Sequence, residues 1–389
     1  MKHRLQTISR FVVKIGSSVL TDAHGRLLST RVEQLVEQVV SCRSIPTASG
    51  HQAEPRVHRQ PIIVSSGAIA CGMGKLGLTQ RPKALAQLQA CAAVGQSELM
   101  HLYNVAFSQH GTMTAQVLLT QDDLANKPRY HNAKQTLLTL LHRRVVPIVN
   151  ENDTVAVEEI TFGDNDRLAA LVASAVDAHL LIILSDVDGV LQDGKPIERI
   201  ETLQSIRRAA LEPVKRQTTV GGMESKLEAA RIVGHSGIPM VIANGTRPNV
   251  LVDLLAGQPI GTLFVPPRNR LTSRKWWIAF ALRQPKGSLV VDHGAAIALI
   301  EQGKSLLPSG IREVKGRFES GAFVAVVDED GLEVARGLSN YASSELARIR
   351  GMNSAAAAKT LGDPRAREVI HRDHLVLARE LAHESKDHL

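Results

Sequence analysis

Strand-like and helix-like segments alternate through the first two thirds of this 389-residue chain, and this alternation constrains the fold more than any other feature. The strand-like segments are short apolar runs, and some, such as 180–184, are apolar throughout. Such runs are typical of strands covered on both faces, and the segments between them repeat apolar residues with a helical period. We therefore predict an α/β domain with a doubly wound, mainly parallel sheet. The expected strands are 11–15, 61–65, 113–119, 145–149, 180–185, 238–243 and 261–265, and the expected helices are 29–41, 84–109, 130–143, 165–177, 224–236 and 247–256.

The pattern changes beyond residue 265, where short strands and turns dominate. Apolar runs at 288–292, 321–327 and 333–337 predict a small, mainly β, barrel-like second domain. Two domains also suit the length of the chain, because a single core seldom grows so large. The predicted organisation is a first domain at 1–265, a linker at 266–286, a second domain at 287–363 and a C-terminal tail at 364–389. Within the first domain we expect 41–60 to be a surface loop, and the tail to be helical.

Composition narrows the class of protein. Three cysteines, an odd number without metal-ligand spacing, predict reduced thiols. No apolar stretch is long enough for a membrane span, and no signal-peptide core follows the basic N-terminus. We therefore expect a cytoplasmic protein with no membrane partner. A formal net charge of +8 is compatible with nucleic acid or anionic metabolites as ligands, and equally with a generally basic surface.

A lysine stands at the end of the first predicted strand. Lys14 follows the apolar residues 11–13 and leads directly into Gly16, Ser17 and Ser18. Packing explains such a lysine poorly, whereas an anion bound over the turn explains it well. Glycine allows the backbone to approach closely, and free N–H groups and hydroxyls hold phosphate oxygens. A Gly-Ser turn is also a common structural device, so this segment alone does not decide between the two interpretations.

Two further strand ends carry small or polar residues. The segment 65–70 leads into a helix whose first N–H groups suit a carboxylate or phosphate, although Ser66 would also serve as a simple helix cap. The segments 150–153 and 163–167 are rich in Asn and Asp, some of which are expected to form turns. Together these two segments offer amides and carboxylates that would orient a zwitterion or a metal.

The nucleotide half of a binding site is predicted from two other places. Lys226 lies in the first turn of a predicted helix that follows Gly221 and Gly222. A cation there is repelled by the positive end of the helix dipole. A bound anion would make the local charge negative and so remove this repulsion. Asp186, at the end of the strand 180–185, is a candidate for contacts with a nucleotide or magnesium. Two lysines on separate loops, glycine turns and an Asp/Asn cluster suit phosphoryl transfer, which needs positioning and charge neutralisation more than covalent chemistry.

Two motif searches exclude familiar alternatives. The P-loop pattern is absent, so any phosphate must be bound by a different kind of loop. A G-x-G-x-x-G occurs at 72–77, but helical residues rather than a strand precede it. We interpret these glycines as a helix end and a loop and not as a dinucleotide-binding turn.

Taken together, these segments resemble the amino acid kinase family, in the form that carries a C-terminal PUA domain, over nearly the whole chain. The segments that carry the resemblance are 13–20, 65–70, 93–96, 149–153, 162–166, 221–226 and 261–264 in the first domain and 291–295, 305–311 and 316–318 in the second. The resemblance implies ATP-dependent phosphorylation of the side-chain carboxylate of L-glutamate to L-glutamyl 5-phosphate, the first step of proline biosynthesis, with ATP and Mg²⁺ as cofactors.

The resemblance also implies roles for individual residues. Lys14 and Lys226 would contact the ATP phosphates and stabilise the transition state, with Asp166 organising the two lysines as a third catalytic residue. The expected glutamate-binding residues are Ser66, Asp153 and Asn165. The expected nucleotide-binding residues are Lys14, Ser185, Asp186, Val220, Gly221, Gly222, Met223, Glu224, Ser225 and Lys226. No direct metal ligand is predicted.

Partners and alternatives complete the expectations. The resemblance implies a homo-oligomer, either a dimer or a tetramer, and feedback inhibition by proline. RNA binding by the PUA domain is not favoured, because no dense basic patch interleaved with aromatics occurs there. One alternative keeps the fold and changes the acceptor, as in aspartokinase, acetylglutamate kinase or UMP kinase. The other is an RNA-binding protein whose kinase domain is inactive, and it would predict salt-dependent RNA binding without ATP turnover.

Overall fold

The chain divides into two compact units, Met1–Arg270 and Leu271–Leu389. The computed structural model describes residues 8–22, 24–45, 57–156, 165–192, 194–203, 222–267, 270–282, 284–362 and 368–381. None of the helices within these ranges is both long and apolar enough to cross a membrane.

The first unit is built on an eight-stranded sheet with the order β10-β12-β11-β7-β1-β4-β6-β5. Its strands and the two short hairpins beside it are β1 (Arg10–Ile15), β2 (Ser44–Ile45), β3 (Val57–His58), β4 (Gln60–Ser65), β5 (Thr114–Leu119), β6 (Val146–Glu151), β7 (Leu180–Ser185), β8 (Leu191–Gln192), β9 (Lys195–Pro196), β10 (Arg199–Ile200), β11 (Met240–Asn244) and β12 (Thr262–Phe264). Every neighbouring pair in the large sheet is parallel except β11 with β12. The predicted mainly parallel sheet is thereby confirmed.

The helices of the first unit lie between these strands in the chain. They are α1 (Ser17–Leu20), α2 (Ser29–Cys42), α3 (Ala68–Lys75), α4 (Leu85–Ser108), α5 (Gln121–Ala125), α6 (Lys127–His142), α7 (Asn165–Ala175), α8 (Met223–His235) and α9 (Val250–Leu255). All seven predicted strands and all six predicted helices are present, most of them with shifted ends. Helix α6 begins three residues earlier than predicted, because Asn126 caps it and Pro128 is tolerated in the first turn.

Strand alternation decides which face of the sheet each residue of β1 occupies. Phe11, Val13 and Ile15 join a buried cluster with residues of α2, α4 and α9. Lys14 projects from the opposite face, because successive side chains of a strand point to opposite sides. In register, Lys14 lies between Val64 of β4 and Ile183 of β7, so it is central in the sheet.

The close crossing of α3 and α4 depends on two glycines. A Cβ on Gly72 would lie 1.8 Å from the carbonyl oxygen of Cys91, and one on Gly95 would lie 1.8 Å from that of Ala68. Only glycine permits such an approach of two helix backbones. Gly72 and Gly74 belong to α3 and Gly77 follows it, so the G-x-G-x-x-G segment is a helix end, as predicted.

The predicted surface loop at 41–60 is only partly correct. Helix α2 extends to Cys42, and β2 pairs with β3 in a two-stranded antiparallel hairpin. Local periodicity missed this pairing because each strand has only two residues. Residues 46–56 lie outside the described part of the chain.

The second unit contains a five-stranded sheet with the order β14-β13-β15-β16-β17. Its elements are β13 (Ser288–Val291), β14 (Ile311–Lys315), β15 (Phe323–Val327), β16 (Glu333–Leu338), β17 (Leu375–Leu377), α10 (Ser273–Trp276), α11 (His293–Ile300), α12 (Ser343–Ile349), α13 (Ser354–Leu361) and α14 (Ala378–Leu381), with a π-helical turn at Trp277–Ala281. All neighbouring strands are antiparallel except β13 with β15. The predicted small, mainly β second domain is confirmed.

The prediction of a helical C-terminal tail is wrong for Leu375–Leu377. These three apolar residues form β17 and pair with β16, and all three are buried. Only the four residues of α14 follow as helix within the described chain. Residues 382–389 lie outside the described part.

Candidate active site

Three buried charged side chains meet beyond the carboxyl end of β1. One carboxylate oxygen of Asp166 lies 2.5 Å from the Lys14 ammonium, and the other lies 3.1 Å from the Lys226 ammonium. The hydroxyl of Ser225 also donates to Asp166, at 3.2 Å. Asp166 is fully buried, and both lysines are at most 5% exposed. We call Lys14, Asp166 and Lys226 the lysine–carboxylate cluster.

Three separate elements position this cluster. Lys14 reaches it from β1, on the face of the sheet opposite the large apolar cluster. Asp166 lies in the first turn of α7, where a carboxylate interacts favourably with the helix dipole. Lys226 lies near the start of α8. An ion pair of 3.1 Å between Arg167 and Glu228 joins α7 to α8 one residue from Asp166 and two from Lys226.

The charge of the cluster favours an anionic ligand. Two ammonium groups and one carboxylate sum to a formal +1, and all three are removed from water. A buried cluster of this kind is costly unless further negative charge approaches it. A phosphoryl group would supply that charge and would accept hydrogen bonds from ammonium groups.

A second group of polar side chains lies beside the ends of β4 and β6. The Asn165 side-chain nitrogen donates to the Asn150 side-chain oxygen at 2.8 Å, to the Ser65 carbonyl at 2.8 Å and to the Ser66 hydroxyl at 3.2 Å. The Asn150 side-chain nitrogen in turn donates to the Gln96 side-chain oxygen at 2.7 Å. We call Gln96, Asn150, Asn165 and Ser66 the amide cluster.

The two clusters adjoin through consecutive residues. Asn165 belongs to the amide cluster and Asp166 to the lysine–carboxylate cluster, and both are in the first turn of α7. The start of this one helix therefore lies between an uncharged hydrogen-bonding region and a cationic one. A molecule with a polar group to be oriented and an anion to be neutralised would fit across it.

Backbone geometry holds the turns around the two clusters. The Gly16 N–H donates to the Leu184 carbonyl at 3.1 Å, and a Cβ on Gly16 would lie 3.2 Å from that oxygen. The turn after β1 is thereby fixed against β7 beside Lys14. Gly67, which follows Ser66 and is the N-cap of α3, has φ +107, a conformation that favours glycine.

The ends of β7 and β11 form the neighbouring part of the same sheet edge. The Ser185 hydroxyl donates to the Asp186 carboxylate at 3.1 Å. Next to them, the Asn244 side chain donates to Asp188 at 2.9 Å and accepts from the Thr246 hydroxyl at 2.7 Å. These loops lie at the carboxyl ends of parallel strands, where α/β sheets bind their ligands.

The remaining predicted site residues have less decisive surroundings. Asp153 is half-buried in the turn after β6, and Gly222, Met223 and Glu224 form the start of α8. Val220 and Gly221 lie outside the described residues, as do Gly163 and Asp164 of the predicted Asp/Asn segment. Asn150 and Glu151, predicted to follow a strand, are instead the last two residues of β6.

Sequence reasoning did not assign a site role to Gln96, Asn150 or Tyr103. Asn150 lies in a polar segment that the sequence predicts to be part of the site. Gln96 ends the segment 93–96, which contributes to the family resemblance without an assigned role, whereas Tyr103 lies in a stretch of the long helix α4 that the resemblance does not use. Tyr103 is fully buried and shares a 2.9 Å hydrogen bond with the Ser65 hydroxyl. Burial raises the pKa of Tyr103 to about 12, against a smaller opposite effect of that hydrogen bond.

The described residues do not build a metal site of their own. They contain no group of three or more His, Cys, Asp or Glu side chains that could hold a metal ion. Asp166 is already engaged by two ammonium groups. A magnesium ion usually keeps several waters and is held through substrate phosphates and one or two carboxylates, so it would have to enter with a phosphorylated ligand.

Comparison with known proteins gives two family matches and several close relatives. The model of the amino acid kinase family matches residues 9–244, and that of the PUA domain matches residues 287–361. Proteins named glutamate 5-kinase are similar over nearly the full length. One from Caldanaerobacter subterraneus subsp. tengcongensis is 48% identical over 95% of this chain and 97% of the relative. One from Thermus thermophilus is 46% identical over 95% of this chain and 98% of the relative.

A third relative named glutamate 5-kinase, from Geobacter sulfurreducens, is 44% identical over 96% of this chain and 98% of the relative. Among solved structures, a UMP kinase from Ureaplasma parvum covers 66% of this chain and 99% of its own, with 14% identity and a TM-score of 0.43. That structural likeness is too distant to bear on function.

Proposed function

The chain belongs to the amino acid kinase family, as a glutamate 5-kinase-like enzyme with a C-terminal PUA domain, and from this membership we propose that it transfers the γ-phosphoryl group of ATP to the side-chain carboxylate of L-glutamate. The product would be L-glutamyl 5-phosphate, at the start of proline biosynthesis. The alternative of a family member with another acceptor loses support, because the relatives that match over nearly the whole chain are named for glutamate.

The observation that carries the proposal is the adjacency of Asn165 and Asp166. Asn165 orients uncharged groups at the ends of β4 and β6, and Asp166 holds two ammonium groups beyond β1. An amino acid held by the amide cluster would present its side-chain carboxylate toward the lysine–carboxylate cluster. The acceptor carboxylate is already a nucleophile, so no activated side chain of the protein is required.

The two lysines would neutralise the charge on the transferred group. In phosphoryl transfer the charge lies on the equatorial and bridging oxygens, and preorganised cations aimed at them lower the barrier. Lys14 would act from the strand side and Lys226 from the nucleotide side. Asp166 would be a positioning residue, because it holds both ammonium groups at fixed places without touching the phosphoryl group. Burial keeps water from screening these charges.

The remaining assigned residues would hold the two substrates. Ser66, Asp153 and Asn165 would bind glutamate, through hydroxyl and amide groups and, at Asp153, a carboxylate suited to the ammonium group. Ser185, Asp186 and residues 220–226 would bind the nucleotide. Mg²⁺ would be held by the ATP phosphates and would supply charge neutralisation there.

The test is ATP turnover with a panel of acceptors. ADP release is measured with Mg-ATP and L-glutamate, L-aspartate, N-acetyl-L-glutamate or UMP, and hydroxylamine traps any acyl phosphate as a hydroxamate. We expect a hydroxamate with glutamate well above that with the other acceptors. Turnover with another acceptor and none with glutamate would contradict the proposal. No turnover with any acceptor, together with salt-dependent RNA binding, would favour the RNA-binding alternative.

Four further expectations remain predictions. They are the homo-oligomeric state, inhibition by proline, a cytoplasmic location, and a structural or regulatory role for the PUA domain rather than RNA binding.

A further inference from the structure

The orientation of every amide in the amide cluster is determined by two backbone groups. The Glu151 N–H can only donate, and it lies 2.8 Å from the side-chain oxygen of Asn150. The Ser65 carbonyl can only accept, and it lies 2.8 Å from the side-chain nitrogen of Asn165. The atom of Asn150 that faces Gln96 must therefore be its nitrogen, and the atom of Gln96 that receives it must be an oxygen.

This orientation of the amides leaves the side-chain oxygen of Asn165 available to accept a hydrogen bond from a substrate. Three acceptors, from Ser65, Ser66 and Asn150, surround the Asn165 nitrogen. No donor to the Asn165 oxygen occurs among the described residues. An amide oxygen held in this way suits a donor from outside the protein, such as the ammonium group of an amino acid.

Gln96 is the far end of this chain of hydrogen bonds. Its oxygen accepts the Asn150 nitrogen, and Asn150 is only 2% exposed, so water is poorly placed to replace that acceptor. The helix that carries Gln96 is held close to α3 by Gly95, the preceding residue. The position of the Gln96 oxygen is thus defined by a rigid helix crossing.

We propose that Gln96 is a positioning residue for the acceptor amino acid, which acts through Asn150 to keep the side-chain oxygen of Asn165 directed at the substrate. The inference rests on the proposed function and adds a residue outside the predicted site. Gln96 would set the affinity for the amino acid and would not take part in the phosphoryl transfer itself.

The test compares Gln96→Met with Gln87→Met. Methionine has nearly the length of glutamine but offers no comparable acceptor, and Gln87 is an exposed glutamine on the same helix. For Gln96→Met we expect KM for glutamate to rise about 5- to 100-fold, the range that corresponds to leaving one buried donor without an acceptor. Both kcat and KM for ATP should stay within about twofold of the wild-type values, and Gln87→Met should leave all three unchanged.

A double-mutant cycle tests whether Gln96 acts through Asn150. The combined Gln96→Met and Asn150→Ala variant should have nearly the same KM for glutamate as Asn150→Ala alone, because the link is already broken. If Gln96→Met folds poorly, Gln96→Asn withdraws the oxygen by one methylene and is expected to raise KM for glutamate in the same way.

Three results would overturn the inference. The first is a folded Gln96 variant whose KM for glutamate is that of the wild type. The second is a decrease in kcat accompanied by equal increases in KM for glutamate and KM for ATP, which would indicate a merely structural role. The third is additive effects of the two substitutions. A wild-type protein that forms no hydroxamate with glutamate would refute the proposed function as well, whereas an active wild type with any of the three results would refute this inference alone.

Discussion

At the scale of single residues, Asp166 is the side chain on which the site depends. It contacts both ammonium groups and is fully buried. It also directly follows Asn165, which belongs to the amide cluster. A carboxylate between two lysines holds them closer together than their mutual repulsion would otherwise allow. The two lysines can then act on one phosphoryl group from different sides.

Replacement of Lys226 by alanine should impair the reaction and spare acceptor binding. We expect Lys226→Ala to lower kcat about 10²- to 10³-fold, the usual effect of removing one preorganised group that stabilises transition-state charge. KM for glutamate should change by less than about threefold, because the amide cluster is intact. The measurement is steady-state kinetics with both substrates varied.

The matched control is Lys134→Ala. Lys134 forms a 3.0 Å ion pair with Asp177 at the surface, so its loss removes the same charge from the chain without touching the site. Its kinetic constants should equal those of the wild type. A Lys226→Ala variant that loses kcat and glutamate affinity equally would count against a role in the transition state.

At the scale of secondary-structure elements, α4 supports the site that the strands carry. Gln96 and Tyr103 lie seven residues apart on this helix and therefore on one face of it. Gln96 contacts the end of β6 and Tyr103 the end of β4. The distance from α4 to these strand ends is set by its crossing with α3.

An alanine at Gly95 should separate the two helices. Its Cβ would lie 1.8 Å from a backbone oxygen, which cannot rotate away, so one helix must move. We expect Gly95→Ala to lower the free energy of unfolding by at least about 1–3 kcal/mol. It should also raise KM for glutamate, because Gln96 moves with the helix. Chemical denaturation and steady-state kinetics measure the two effects.

The control for Gly95→Ala is Gly74→Ala in helix α3, which we expect to stabilise the protein instead of destabilising it. Apart from its chain neighbours and the backbone of its own helix, no atom lies within 4 Å of a Cβ at Gly74, and its backbone is helical. This substitution should stabilise the protein by about 0.4–1 kcal/mol through the lower entropy of the unfolded chain. A Gly95→Ala variant as stable and active as Gly74→Ala would show that the crossing tolerates a methyl group.

At the scale of the whole molecule, the core of the first unit buries groups that ionise at alkaline pH. Burial raises the pKa of Tyr103 and of the Cys42 thiol to about 12. In the unfolded chain these groups ionise near their ordinary values, at about pH 10 and pH 8.5–9 respectively. The folded protein then binds more protons than the unfolded one, so its stability must fall as the pH rises through this window.

Tyr103→Phe should remove part of this pH dependence. The stability that Tyr103 contributes through its raised pKa is fully present below about pH 10. Between about pH 10 and 12 the folded protein loses about 2–3 kcal/mol of it. The variant should be about 1 kcal/mol less stable at pH 8, because the bond to Ser65 is lost, yet its stability should decline less steeply above pH 10. Urea unfolding at several pH values measures both slopes. Parallel slopes for the two proteins would show that Tyr103 ionises normally in the folded state.

The sequence by itself predicted the parts of this protein that depend on neighbouring residues. Apolar runs and helical periods indicated the sheet and its helices, because the spacing of apolar residues along the chain shows which faces of a strand or helix are buried. Polar residues were predicted at the ends of several strands, and Lys14, Ser66, Asn165 and Ser185 do lie at such ends or beside them. The roles of these residues came from family resemblance rather than from spacing.

Only the tertiary structure decided which of these residues touch. Lys14 and Asp166 are more than a hundred positions apart, and the 2.5 Å between them depends on strand order and on how α7 covers the sheet. Gln96 entered the family resemblance without a role and Tyr103 was not predicted, because an interior helix position has no local signal for what it faces. Long-range packing, such as the approach of α3 and α4 at Gly72 and Gly95, depends on the volumes of distant side chains. The sequence thus determined the strands and the polar residues at their ends, whereas the folded chain determined their pairing into an amide cluster and a lysine–carboxylate cluster.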